Sequence, residues 1–200
     1  MCGITGIHGQ GNSAALTATH NMTAALAHRG PDAEGHWTDE QQVVLGHRRL
    51  SILDTSQGAN QPMESACGRY ILAFNGEVYN YLELRTELTD YPFRTNGDTE
   101  VVLAALKQWG AEALTKFNGM FALALWDRKE ERLLLARDRM GVRPLYYTWH
   151  EGTFYFASEM AALLALPGMT AEIDPVALDQ IFTFWFPLPP RTAFRGQTSL

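Results

Sequence analysis

The sequence predicts an α+β domain built in layers, and three observations carry that prediction. Strand-type runs come in antiparallel pairs joined by short turns, helical patterns do not alternate one for one with them, and 200 residues, 46% apolar, suffice for a sizeable core. Gly3–His8 is a short apolar run leaving into the turn Gly9–Asn12, a buried strand by pattern. Ser13 then caps a helix whose apolar face is Ala14, Ala18, Met22, Ala25 and Leu26, closing before the turn-forming His28-Arg29-Gly30-Pro31-Asp32. Val43–Leu45 and Leu50–Leu53 flank the basic triplet His47-Arg48-Arg49 as strands, and Arg69–Phe74 is another, stopped by the turn signal Asn75-Gly76. One helical pattern runs near Tyr79–Leu88; a second follows Asn96-Gly97-Asp98 and carries Val101, Val102, Ala105, Leu106 and Trp109 at helical spacing.

Met120–Trp126 is apolar throughout and turns at Asp127–Glu131 into Arg132–Ala136, a hairpin with one fully buried strand. Pro144–Thr148 and Thr153–Ala157 pair around His150-Glu151-Gly152, before a short helix from Ser158. A helix over Asp174–Phe182 leads into Phe184–Pro190, where Pro187, Pro189 and Pro190 stop any helix or central strand. The aromatics there read either as core packing or as an exposed docking surface for a domain further along the chain.

Composition narrows the function. Twenty-two acids against 16 bases give a formal charge of −6, and no basic cluster exceeds His47-Arg48-Arg49, which argues against nucleic acid as a partner. No apolar stretch approaches the roughly 20 residues of a membrane span, and the amino terminus lacks a signal-peptide pattern. Two cysteines, Cys2 and Cys67, are too few for a disulfide scaffold, which makes a reducing, cytoplasmic compartment the default. His28, His47 and His150 do not fall at metal-ligand spacing, and neither a Walker sequence nor a GxGxxG turn is present, so no metal, ATP or dinucleotide site is expected.

Cys2 is the residue best placed for chemistry. A thiol with a pKa of about 8.5 is only slightly ionised at neutral pH and needs a base. Loss of Met1 gives Cys2 a free α-amino group with a pKa of about 7.7 to 8.0, so nucleophile and base reside in one residue. Asn75-Gly76 offers a side-chain amide and an unhindered backbone N–H to a developing oxyanion, although the same pair also reads as a plain turn. Arg49 presents a planar fork for a carboxylate, while Glu77 and Asp98 suit an ammonium group; together they fit a free amino acid, and singly each reads as an ordinary surface charge. Arg137–Pro144 reads as a charged, hydrogen-bonded corner, and Cys67 as structural.

These motifs occur in one order: Met1–Ile4, His28–Asp32, Arg49–Ile52, Asn75–Asn80, Gly97–Glu100, Gly119–Ala122, Ala136–Gly141 and Ala157–Glu159. The series resembles the glutaminase domain of glutamine-hydrolysing asparagine synthetases, a class II glutamine amidotransferase, over residues 2 to about 165. The resemblance implies a four-layer αββα N-terminal nucleophile hydrolase sandwich with two antiparallel sheets. It implies that residues 2–186 are the glutaminase domain and 187–200 a linker stub towards a synthetase domain.

Roles follow from the same resemblance. Cys2 would attack the amide carbon of L-glutamine to form a thioester, with its own amine shuttling protons, and Asn75 and the Gly76 N–H would hold the oxyanion. Arg49, with Leu50 and Ile52, would receive the substrate α-carboxylate, and Glu77 and Asp98 its α-ammonium. No cofactor is expected in this domain; ATP and Mg belong to the synthetase domain, which takes up the ammonia to amidate aspartate. A homodimer is compatible with the pattern. Other readings stay open: a glutaminase half serving another carboxylate or a sugar acceptor, a phosphoribosyl or sugar-phosphate amidotransferase, or a non-catalytic interaction module of the same fold.

Overall fold

A computed structural model describes residues 1–200. The elements are β1 (Gly3–His8), α1 (Ser13–Ala24), β2 (Ala33–Thr38), β3 (Val43–Arg49), β4 (Met63–Glu64), β5 (Tyr70–Val78), α2 (Tyr81–Glu87), α3 (Asp98–Trp109) and α4 (Ala113–Lys116). They continue with β6 (Gly119–Asp127), β7 (Arg132–Arg137), β8 (Tyr146–His150), β9 (Thr153–Ala157), α5 (Met160–Leu164), α6 (Pro175–Phe184) and β10 (Thr198–Ser199). One sheet has the order β10-β8-β9-β1-β3-β2 and the other β4-β5-β6-β7, with every pairing antiparallel.

Side-chain alternation explains the layers. Phe121, Leu123 and Leu125 of β6 join Leu72 and Phe74 of β5 in a core with α2 and α3. The intervening Ala122, Ala124 and Trp126, with Ile71 and Ala73, face Ile4, Val43, Leu45 and Phe156 of the other sheet. Both faces of β6 are therefore covered, which is why its sequence reads as unbroken apolar. On the far face of the larger sheet Met22 and Leu26 pack with Ala162 and Leu163. The result is helix, sheet, sheet, helix: a layered α+β domain, as the residue pattern predicts, in the αββα order that the resemblance implies. No helix is long and apolar enough to cross a membrane.

Several local expectations are corrected. Asn12, not Ser13, caps α1, its side chain accepting the Ala15 N–H at 3.0 Å. Leu50–Leu53 is not a strand: β3 ends at Arg49, and the chain then winds around that residue's guanidinium, leaving Ile52 and Leu53 exposed. The strand thought to stop at Asn75-Gly76 runs through it to Val78, because Gly76 lies against β6 so closely that a Cβ would meet Met120 O at 2.6 Å and Phe121 Cβ at 2.7 Å. β2 went unread since, as an edge strand, it alternates no hydrophobic residues. The aromatics at the end of α6 and just beyond it do not enter the core, with Phe182 82% and Trp185 92% exposed. Within residues 187–200, β10 pairs with β8, Thr198 opposite Tyr147. Cys67 is exposed in a turn and packs into no core.

Candidate active site

The start of β1, the end of β3 with its loop, the middle of β5 and the N-terminus of α3 enclose one cleft. Cys2, Arg49, Leu50, Ile52, Asn75, Gly76, Glu77 and Asp98 all line it. Residues separated by almost a hundred positions meet because Gly3 pairs with Arg48 across β1 and β3 while the second sheet presents β5 opposite them.

Cys2 is half-buried. Its Sγ accepts the Leu50 N–H at 3.4 Å and donates to Leu50 O at 3.6 Å. Burial pushes the thiol pKa up; the Leu50 N–H, the amino terminus, Arg49 and Arg143 pull the other way by favouring the thiolate. The backbone on either side is tied down. The buried Arg29 donates from Nε to Cys2 O at 2.8 Å and pairs through Nη1 with Glu159 at 2.7 Å, while Ser158 Oγ accepts the Ile4 N–H at 2.9 Å.

The ladder with β6 explains why Asn75-Gly76 offers donors to the cleft. In an antiparallel pair, alternate residues turn both N–H and C=O away from the partner strand. Here the outward set includes Phe74 and Val78. Phe74 N–H donates to Gln61 Oε1 at 2.7 Å, His47 Nε2 donates to Phe74 O at 3.0 Å, and Val78 N–H donates to Asp98 Oδ2 at 2.9 Å. Gly76 lies between them in the same set, so its N–H points into the cleft. Asn75 is 1% exposed, and its buried Nδ2 has no hydrogen-bond partner. An unpaired buried amide costs on the order of 1–3 kcal/mol, so the site holds a donor in reserve against stability.

Arg49 is 7% exposed, with much of its fork already committed: Nη1 donates to Ser56 O at 2.8 Å and Asn60 Oδ1 at 2.7 Å, and Nη2 to Asp54 O. Nε–H and one Nη2–H are left for a ligand. Asp98 opens α3 at the bottom of the cleft. Its burial raises the carboxyl pKa to about 6, against the opposing Val78 N–H and helix N-terminal N–H groups, and the neighbouring Glu77 raises it further.

That elevation predicts a stability effect with a definite sign. The folded carboxyl, at about 6 against an ordinary 3.8, holds its proton more tightly than the unfolded one. The folded state therefore loses stability as pH rises through that window, and the penalty persists above it. Asp98→Asn keeps an acceptor for Val78 and removes the charge. It is expected to stabilise the protein by on the order of 2 kcal/mol above pH ~6, with no difference below pH ~4, as read by urea unfolding at the two pH values.

Four contributors carried no usable sequence signal. His47 invited reading only as a metal ligand; in the structure it is fully buried, its pKa lowered to about 4 by that burial, and its neutral Nε2–H clamps the Phe74 peptide. Gln61 Oε1 accepts the N–H of the same residue, Phe74, and Arg29 sits in what read as a plain turn. Arg143 belongs to the corner at Arg137–Pro144, where Asp138 accepts the Phe121, Val142 and Arg143 N–H groups at 3.0 to 3.1 Å. That corner directs Arg143 into the cleft beside Met1 and Cys2. Each role depends on a partner distant in sequence.

Known proteins resemble this chain over most of its length. Residues 1–200 match the family model for a glutamine amidotransferase domain. Asparagine synthetase [glutamine-hydrolyzing] 1 of Bacillus subtilis is 42% identical over 199 residues, which are 96% of this chain and 31% of that protein. Asparagine synthetase B [glutamine-hydrolyzing] of Escherichia coli is 43% identical over 145 residues, 72% of this chain and 26% of that protein. The chain thus spans about a third or less of these two relatives. Among solved structures, glutamine phosphoribosylpyrophosphate amidotransferase from B. subtilis superposes with a TM-score of 0.70 at 25% identity, covering 88% of this chain and 46% of that one.

Proposed function

Since the chain belongs to the glutamine amidotransferase domain family, we propose that its cleft hydrolyses the side-chain amide of L-glutamine, releasing glutamate and ammonia, with Cys2 as the nucleophile. The observation that carries the reading is the buried, unpartnered Asn75 Nδ2 in the same cleft as the Cys2 thiol. A non-catalytic module gains nothing from that arrangement and bears its cost.

In the proposed cycle, removal of Met1 frees the Cys2 amine, which takes the thiol proton as Sγ attacks the amide carbon. The resulting oxyanion is held by Asn75 Nδ2–H and Gly76 N–H. Collapse returns the proton from the ammonium to the leaving nitrogen, expels ammonia and leaves a thioester. The amine then deprotonates a water that attacks the thioester, and glutamate departs with the thiol regenerated. Arg49 receives the α-carboxylate through its uncommitted N–H groups, with Leu50 and Ile52 shaping that end of the cleft, while Asp98 and Glu77 face the α-ammonium. Every step uses side chains and backbone of this chain, without a cofactor.

The relatives are named for glutamine-hydrolysing asparagine synthesis. In line with those names, we place ammonia uptake in a synthetase domain of a longer chain, where ATP and Mg activate aspartate, in a cytoplasmic setting that suits two free cysteines.

The test joins intact-mass analysis to chemistry. Active protein should lack Met1, and an electrophilic glutamine analogue should add once, on Cys2, with loss of ammonia release. Activity in protein that retains Met1 would sink the amine-as-base step, and labelling elsewhere would sink the nucleophile.

The assigned clamp makes a separate prediction. Arg49→Ala should raise KM for glutamine on the order of 100-fold, since a charge-assisted bidentate contact is lost. It should also lower the unfolding free energy by about 1–3 kcal/mol, because Ser56 O, Asn60 Oδ1 and Asp54 O lose their donor. Steady-state kinetics beside urea unfolding separates the two effects; an unchanged KM would remove Arg49 from the binding site.

A further inference from the structure

Outside the cleft, three metal-ligating side chains converge where α1 crosses the edge of the larger sheet. Glu34 and His36 stand two apart on β2 and so share a face. α1 lies against that strand and brings His20 to the same point. The Nδ1 atoms of His20 and His36 stand 3.6 Å and 3.8 Å from the same carboxylate oxygen, Glu34 Oε1. The two imidazole rings are tilted by 40° with centroids 3.7 Å apart.

Those separations suit a metal better than a hydrogen-bonded cluster. Neither Nδ1 is within hydrogen-bonding reach of Oε1. His36 is nearly buried, its side chain 11% exposed, and its buried Nε2 has no partner. A tetrahedral ion with bonds of about 2.0–2.1 Å needs donor atoms roughly 3.3 Å apart. A contraction of a few tenths of an ångström brings each imidazole–carboxylate pair to that value, the three ligand atoms lie within 4.8 Å of one another, and His20, at 51% exposed, has room to move. The second Glu34 oxygen is engaged by Arg48, which turns Oε1 towards the imidazoles as an outer-shell partner does at metal sites.

We infer that His20, Glu34 and His36 form a binding site for one divalent transition-metal ion of the zinc class, with water completing the shell, which fastens α1 to β2. Two imidazoles with one carboxylate select zinc, cobalt or nickel over magnesium and calcium, which prefer all-oxygen shells. The role is structural. Arg48 and Arg49, adjacent on β3, project to opposite faces, so the metal lies on the far side of the sheet from the cleft.

The experiment adds Zn2+ to chelator-stripped protein and follows binding by calorimetry and unfolding by melting, then repeats the titration with Co2+ for its visible spectrum. We expect one equivalent bound, a rise in the melting midpoint, and cobalt d–d bands without thiolate charge transfer. His20→Gln, on an exposed helix position, and Glu34→Gln should each weaken the metal on the order of tenfold or more while leaving ammonia release unchanged. Cys2→Ala should bind it as wild type does. Absence of saturable binding overturns the site, as does equal affinity in His20→Gln. A thiolate band that disappears in Cys2→Ala or Cys67→Ser would move the metal to a cysteine and overturn it equally.

Discussion

Cys2→Ala is expected to reduce ammonia release from glutamine by about 10^4-fold or more, with the fold intact. The nucleophile's bond to the amide carbon is the one step for which nothing else in the cleft substitutes. The other thiol of the chain, Cys67, lies outside the cleft in an exposed turn. Stability should hardly change, because Cys2 is half-buried just before β1 begins and its Sγ makes only two long contacts, both to Leu50. Cys2→Ser tests the same point more finely, since it retains shape and a hydrogen-bonding group but replaces an ionisable thiol with a hydroxyl. Steady-state ammonia assays on protein freed of Met1 decide it; activity within tenfold of wild type in Cys2→Ala would reject the thioester route.

The second large effect belongs to Asn75. Asn75→Ala is expected to lower kcat by about 10^2- to 10^3-fold with little change in KM, because its amide donor meets full negative charge only once the amide carbon has become tetrahedral. The structure adds an expectation about stability that kinetics alone would not supply. Deleting a buried side chain normally costs, but here it also removes a buried Nδ2 that has no partner. The two contributions oppose one another, so the unfolding free energy should stay within about 1 kcal/mol of wild type. A rise in KM at constant kcat would instead make Asn75 a residue that binds the ground state.

The two predictions differ in how far sequence alone reaches them. Cys2 is legible because its peculiarity is positional: a nucleophile that becomes the terminal residue carries its own base, and no fold is needed to see that. Asn75-Gly76 is only half legible. The residue types fit an oxyanion, but the pair reads as the turn that ends a strand, and it lies instead inside β5. What keeps the chain extended there is Gly119–Phe121 of β6 closing on a position with no side chain. His47 and Gln61 illustrate the opposite case. Both are ordinary polar residues in sequence, and both become positioning groups only once β3 and the loop before β4 come against β5, where His47 meets the C=O and Gln61 the N–H of Phe74.

The same division holds for the fold. Unbroken apolar runs such as Met120–Trp126, hairpin turns and helical periodicity determined the α+β class and most of the elements, since these depend on neighbours along the chain. The ordered motifs also name the side chains to which the proposed amide chemistry is assigned. What only the tertiary structure decided is which groups are left over. Whether an N–H points into a cleft or into a ladder, whether an amide is paired, whether Arg49 has donors to spare and whether His20 meets Glu34 and His36 all depend on partners contributed from elsewhere. Hydrogen-bond satisfaction and desolvation belong to pairs and enclosures rather than to single residues, so they exist only once the two sheets and their helices have come together.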